Sequence, residues 1–342
     1  MTPADLSRCV VRAVRRAVAD GELATGAAVP ERVVVERTRP GGVGDYATPV
    51  AFQVAKAAGC PPRDVADVLA RRLGAEPGIE RVEVTGAGFL NFVLPAPSAP
   101  AVIADAIRRD VVIRDVCRGA DRGPTADEDR SGLREHVVRR SVLRLLHVQG
   151  ATEPAAPTVT PVAPVTPVVP AAPTVAPVAR RDGDVVARYG AEAALWAMLA
   201  APARETPSFS DVLLVQGEAS EVFRVRYAHA RSRALVRNAA RLGFRPEAGD
   251  VDGVDDAPAL LRLLADHPLV LEAAAHHRAP ERLTRHLVEL ADALLDFQYR
   301  VLPQGDEKPS AAHRARLALA EAAGTVLAGG LALLGMDAPE RL

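Results

Sequence analysis

Residues 154–179 of this 342-residue chain form a stretch of alanine, proline, valine and threonine without a single charge. Its eight prolines each lack a backbone N–H and hold φ fixed, so the stretch can become neither helix nor central strand. Prolines 161, 164, 167, 170 and 173 recur every third residue, the period of polyproline II. Fully drawn out, 26 such residues span up to ~80 Å at about 3.1 Å each. The stretch is long enough to cross a bilayer, but its prolines interrupt any spanning helix. It reads as a semi-rigid spacer. Folded structure must lie on either side, where the chain has length for two cores.

The two flanks carry different periodicities. Before the spacer, helical spacing over Leu6–Ala19, Asp45–Ala58 and Arg63–Leu73 alternates with β-branched runs at Arg32–Glu36, Val82–Val84 and Phe89–Leu94. The last two runs flank Gly86-Ala87-Gly88, a hairpin signal. Helices over Ala99–Arg109 and Leu133–Val148 follow, separated by the charged loop Asp121–Arg130. After Asp184 the pattern is helical: Val185–Leu199, Glu221–Leu242, Ala257–Ala265, Leu269–His276, Pro280–Val301 and Ala311–Leu334. The expected fold is α+β, a small α/β domain with an antiparallel sheet joined to an all-α bundle. The expected domains are 1–95, a helical segment 96–150, the spacer 151–180 and the bundle 181–342.

Composition narrows the function classes. The net charge of −1 argues against a broadly basic surface, but a local patch is visible. Arg224, Arg226, Arg231, Arg233, Arg237, Arg241 and Arg245 fall within 222–245 without a carboxylate, while Asp250, Asp252, Asp255 and Asp256 follow. Such segregation suits a phosphate-facing surface. Arg233, Arg237, Arg241 and Arg245 stand at four-residue steps, one helical stripe. Cys9, Cys60 and Cys117 are odd in number and widely spaced, which fits a reducing compartment. Met1–Asp20 has four arginines and no long apolar run, so a cytoplasmic protein without a secretory leader is expected. His267, His276, His277, His286 and His313 have no metal-ligand spacing and read as surface or capping residues. Gly41-Gly42-Val43-Gly44 reads as a plain loop, since no lysine accompanies it.

Specific motifs then carry a resemblance. Gly44-Asp45-Tyr46-Ala47-Thr48 with Val50–Lys56, and Ile79–Val84 with Gly86–Phe92, resemble the amino-terminal additional domain of arginyl-tRNA synthetases; Pro49 departs from that pattern. Tyr227-Ala228-His229-Ala230-Arg231, His286–Ala291 and Leu331–Leu342 are similar to the same family's DALR-type anticodon-binding domain. The centre differs. Pro124-Thr125 leads to Asp129 and Gly132 where the family places the two histidines of its ATP-handling signature. The family's second, lysine-bearing signature has no counterpart, because no lysine lies between Lys56 and Lys308. Phosphate charge in an adenylating transition state needs fixed cationic donors. The expectation is therefore a non-catalytic relative, a pseudoenzyme without cofactor or metal.

The resemblance also implies site residues. Phe89 and Asn91 match residues that meet a D-loop base, and strand alternation puts both on one face. Tyr227 and Arg231 sit in the matching anticodon-domain helix, with Arg233, Arg237 and Arg241 as the phosphate stripe. Leu294-Leu295-Asp296-Phe297-Gln298 stands in place of a Phe-His-x-Phe-Tyr cluster, leaving Phe297 and nearby Tyr299 as stacking platforms. Arg341 and Leu342 end the matching tail. The expected ligand is tRNA, an arginine tRNA or a tRNA-like RNA, bound by a monomer away from membranes. The alternatives are a protein-interaction scaffold with repurposed RNA faces, or an auxiliary subunit with residual arginine–tRNA ligase activity.

Overall fold

In a computed structural model of the chain, the structure describes residues 3–23, 29–30, 33–38, 41–119, 132–150, 174–179, 182–249 and 257–342. The loop Asp121–Arg130 with Asp129, most of the spacer, and the acidic run from Asp250 to Asp256 lie outside the described residues.

The first unit is the expected small α/β domain. Helix α1 (Pro3–Ala19) turns Leu6, Val10, Ala13, Val14 and Ala17 inward, the three- and four-residue spacing of one helical face. The strands are β1 (Glu36–Arg37), β2 (Tyr46–Thr48), β3 (Arg81–Thr85) and β4 (Phe89–Val93), with α2 (Val50–Ala58) and α3 (Pro62–Leu73) between β2 and β3. Sheet order is β1-β2-β4-β3, antiparallel throughout. Leu90 and Phe92 of β4 face the core and pair with Val84 and Val82. Gly44 lets β2 enter beside β4. Its φ is 72° and a Cβ there would lie 2.9 Å from the Phe92 carbonyl oxygen, which accepts from the Asp45 N–H at 2.7 Å. The anticipated strand at Arg32–Glu36 shrinks to two residues, because Val33 and Val35 enter the core from extended chain.

The second unit comprises α4 (Ala99–Gly119), α5 (Leu133–Val148), α6 (Val185–Tyr189), α7 (Ala191–Ala200), α8 (Glu221–Arg241), α9 (Pro258–His276), α10 (Glu281–Phe297) and α11 (Ala311–Leu334). α4 and α5 share its core with the later helices. α11 is long and apolar enough to cross a membrane, yet 78% of its most apolar window is buried inside the protein. It is the bundle's central helix, and Gly324 admits α8: a Cβ there would sit 2.2 Å from Ser232 Oγ.

Several helix boundaries differ from expectation. The helix expected over Asp45–Ala58 begins only at Val50, because Tyr46–Thr48 pair as β2 with β1 and β4. The helix expected over Pro280–Val301 ends at Phe297, and a 3-10 turn follows it. Gly190 (φ 82°) breaks 185–199 into α6 and α7. α4 continues to Gly119 because Ile113 reaches the core. The two helices read on either side of Pro268 are one, α9. An interior proline costs about 3 kcal/mol, but α9 is buried on both flanks of Pro268, from Leu264 to Leu269, so packing outweighs the local preference.

Arg134, 1% exposed, anchors the end of the spacer. Its Nε donates to the Met198 carbonyl (3.1 Å), and its terminal nitrogens donate to the carbonyls of Ala176 (2.7 Å), Ala201 and Pro202 (2.9 Å each), Ala203 (3.4 Å) and Glu205. The Ala176 N–H in turn donates to Ala203 (2.8 Å), while Val175 and Val178 pack on the bundle.

The spacer was expected to set the distance between two RNA-contacting modules; because α4 and α5 pack with the later helices, it falls between two helices of the second unit instead, and the two units touch directly. Leu269 of α9 belongs to the core of the first unit. Beside it the buried carboxylate of Asp266 accepts from the Tyr46 hydroxyl and from Arg37. Glu36 meets His277 Nε2 and Arg282, each at 2.9 Å. Glu36, Arg37, Tyr46, Asp266, Leu269 and Arg282 wall a cleft of about 500 Å³ that Arg262, Arg285 and Glu289 also line.

Candidate nucleic-acid interface

In the first unit, the hairpin register decides which side chains can meet a ligand. Phe89 opens β4, 45% exposed, its ring edge-to-face with Phe52 at 5.0 Å. Asn91, two residues on, is only 5% exposed, and its Nδ2 donates to Thr85 Oγ1 at 2.8 Å. Both residues leave the strand on one side, as expected, but Glu83 and Thr85 of β3 close over the amide. Phe89 is presented; Asn91 is a hairpin brace. That corrects the expectation of a paired stack and amide reader.

In the second unit, α8 carries the candidate face. Tyr227, half-exposed, stacks on Phe223 one turn earlier, ring centroids 5.9 Å apart. Arg231 donates its Nε to Gln298 Oε1, which fixes α8 beside the 3-10 turn Gln298–Arg300. Tyr299 in that turn is 68% exposed. Tyr227, Arg231 and Tyr299 therefore share one neighbourhood. Phe297 does not join them: it is 4% exposed and sits in the bundle core. Residues two apart on a helical path point about 200° from each other, so only one of Phe297 and Tyr299 can face out. The expected stacking role of Phe297 is corrected on that ground.

The arginine stripe is less free than the sequence implied. Carboxylates absent from 222–245 arrive from other elements: Asp292 lies 3.6 Å from Arg224, Glu192 3.3 Å from Arg226, and Glu340 3.2 Å from Arg233. Arg237 donates to the Glu340 backbone carbonyl at 3.3 Å. Arg241 ends the helix, and Arg245 lies past it, so the stripe stops at Arg241. His229 is buried with Nδ1 3.0 Å from the Pro339 carbonyl; burial pushes its pKa down, and that carbonyl partly offsets the shift. Arg341 and Leu342 are exposed beyond Glu340.

Gly132 is the N-cap residue of α5; its proposed companion Asp129 is not among the described residues. Two histidines expected at the surface are core residues. His267 and His286 stack at 5.3 Å, both buried. Among the described residues neither ring nitrogen of His267 has a hydrogen-bond partner, nor has Nε2 of His286. Burial drives His267 well below its ordinary range and brings His286 down to about 4. His313 caps α11, its N–H accepted by the Ser310 hydroxyl. Sequence reasoning missed the Asp266–Tyr46–Arg37 junction; its signal was a carboxylate placed in the apolar run Leu263–Leu269.

Comparison with known proteins accords with this layout. The family model described as arginyl tRNA synthetase N terminal domain matches residues 5–94, and that described as DALR anticodon binding domain matches 225–342. Residues 95–224 fall outside both matches. A Thermus thermophilus arginyl-tRNA synthetase is similar in fold over 100% of both chains, with 16% identity and a TM-score of 0.54. An arginyl-tRNA synthetase from Plasmodium falciparum aligns over 99% of this chain and 98% of its own, with 10% identity and a TM-score of 0.49. The expectation that the chain is not an enzyme is overturned by the Thermus match. The likeness to an enzyme runs the full length of both chains, and nothing in the described residues marks this one as inactive. With both flanking domains matched, the chain belongs to the arginyl-tRNA synthetase-related proteins that carry a DALR anticodon-binding domain.

Proposed function

We propose that the chain binds tRNA, an arginine tRNA or a tRNA-like RNA, through two faces. The first unit takes the D-loop and elbow with Phe89 as the stacking platform. The second takes the anticodon arm with Tyr227, Arg231, Tyr299 and the tail residues Arg341 and Leu342, while Arg233, Arg237 and Arg241 follow the backbone. The observation that carries this reading is the exposure of aromatic rings near an arginine on the anticodon-binding domain: Tyr227 lies one turn before Arg231 on α8, and Tyr299 follows Gln298, which Arg231 holds. Each base stacked on an aromatic ring contributes roughly 1–3 kcal/mol. The protein acts as a monomer in the cytoplasm, where its three cysteines stay reduced.

The test is an electrophoretic mobility shift with bulk tRNA over a salt series. Binding that weakens steeply as salt rises is expected, because each phosphate contact releases counterions. No shift at low salt ends the proposal. A protein-interaction scaffold is the second reading, favoured by the carboxylates that already occupy Arg224, Arg226 and Arg233. An apolar protein interface would keep its affinity through the same series.

A further inference from the structure

We infer that the carboxy-terminal tail is a built-in competitor for RNA phosphate, with Glu340 occupying Arg233 and Arg237 until a nucleic-acid strand displaces it. The inference rests on the tRNA-binding reading and adds a control element to it.

The tail's path is built residue by residue. Gly335, in the left-handed region at φ 85°, ends α11 and turns the chain back. Met336 is buried and anchors the turn. The Asp337 N–H donates to Glu192 at 3.2 Å. The Pro339 carbonyl then meets His229, and Glu340 reaches Arg233 with its side chain and Arg237 with its carbonyl. His229, Arg233 and Arg237 stand four residues apart, so the tail lies lengthwise along one face of α8.

What the tail offers these arginines is chemically close to a phosphodiester: an anionic oxygen to one and a neutral oxygen to the next. An RNA backbone following the stripe needs the same donors. The two ligands cannot hold one guanidinium fork at once with full geometry. The clasp is also weak enough to yield. Side-chain exposure is 40% for Arg233 and 63% for Glu340, and exposed pairs of this kind change an equilibrium by about two- to fivefold. Met336 stays in the core, so only the last few residues need move.

Fluorescence anisotropy with bulk tRNA, on the full chain and across a potassium chloride series, tests this. Glu340→Gln keeps the size and the backbone carbonyl but removes the charge. It should bind about two- to fivefold more tightly at low salt. Its log–log salt slope should steepen by about 0.9, one more phosphate contact. Glu340→Asp, which keeps the charge, should stay near wild type. Arg233→Gln should weaken binding, and adding Glu340→Gln to it should change nothing further. If wild type binds tRNA and Glu340→Gln binds equally or more weakly, the competitor role is wrong and the tRNA reading stands. If neither wild type nor any variant binds, the tRNA reading itself falls and takes this inference with it.

Discussion

Arg134 offers the sharpest test of how the bundle is held together. Its guanidinium is buried and donates to six backbone carbonyls drawn from the spacer end, α7 and the 201–205 turn. Arg134→Met keeps an unbranched stem, two atoms shorter, and removes every donor. Net hydrogen bonds to a charged donor contribute about 1.5–3 kcal/mol each, but six cannot be summed. Burial already penalises the cation, pushing its pKa down against the weaker pull of Glu281 and Glu205. The carbonyls of 201–205 also border half-exposed chain that water can reach. The carbonyl of Met198, a fully buried residue, is the one left without replacement. Leaving a buried acceptor without its donor costs about 1–3 kcal/mol. For a unit of this size that lowers Tm by roughly 2–12 °C. Circular dichroism at 222 nm measures the melt. The chain's one tryptophan, Trp196, buried on α7 two residues before Met198, reports the local loosening as a red shift in emission. Arg134→Lys should recover only part of the loss, since an ammonium has three donors against five. A methionine variant melting within 2 °C of wild type, on the scale of about 2–4 °C per kcal/mol, would refute the account.

Other perturbations separate the roles assigned above. Tyr299→Ala should weaken tRNA binding by about 1–3 kcal/mol with an unchanged melt, whereas Phe297→Ala should cost about 3–5 kcal/mol of stability; the opposite pairing in anisotropy and melting data would reverse the assignment of which ring faces out. Leu269→Asp puts a charge into the core of the first unit and should split the thermal transition in two, and a single unshifted transition would show that docking does not depend on Leu269. The buried pair His267–His286 makes stability fall with acid. His286 is lowered to about 4 by burial, so its full contribution is present above the unfolded pKa near 6.5 and is lost as pH drops towards 4, about 3 kcal/mol in all. His267 is lowered in the same sense, by burial first and then by His286 and Arg109, while Asp266, raised by burial, gains stability in acid. His286→Leu should flatten the urea midpoint between pH 6.5 and 4.5; an unchanged slope would place the acid sensitivity elsewhere.

What could be read from the sequence was whatever depends on near neighbours. The hairpin Arg81–Val93 and the amphipathic face of α1 follow from spacing alone. Pro268 misled because helix propensity is local and the packing that overrides it is not. The arginines of α8 misled for the same reason: Arg233 and its carboxylate are 107 residues apart in sequence, so a stretch free of acids gives no measure of the field around it. Phe297 and Tyr299 matched one aromatic cluster by motif, and a motif states which residues are present without stating which of them a helix turns inward. Asn91 shared a strand face with Phe89, yet a neighbouring strand covers one and leaves the other bare.

The contact between the two units changes how their faces would work together. Joined only by a flexible tether, two RNA faces would act as independent modules, and the second binding step would be limited by a low effective concentration. Docking through Leu269 and the Asp266–Tyr46–Arg37 cluster instead fixes one separation and one orientation, so a strand that fits both faces meets no ordering cost for the second. The same rigidity penalises any RNA whose two contact points lie at another distance. Specificity for an RNA of fixed shape can then arise from spacing, with little readout of sequence, which accords with a stripe whose arginines are mostly engaged within the protein and an Asn91 amide already committed to Thr85. The junction is polar at its rim, where Glu36 pairs with His277 and Arg282 while exposed to solvent, and pairs of that kind hold weakly. The apolar peg therefore supplies most of the holding, and the buried Asp266 cluster supplies registry: Tyr46 and Arg37 satisfy its carboxylate only in the docked geometry, so a shifted dock would leave a buried charge without donors.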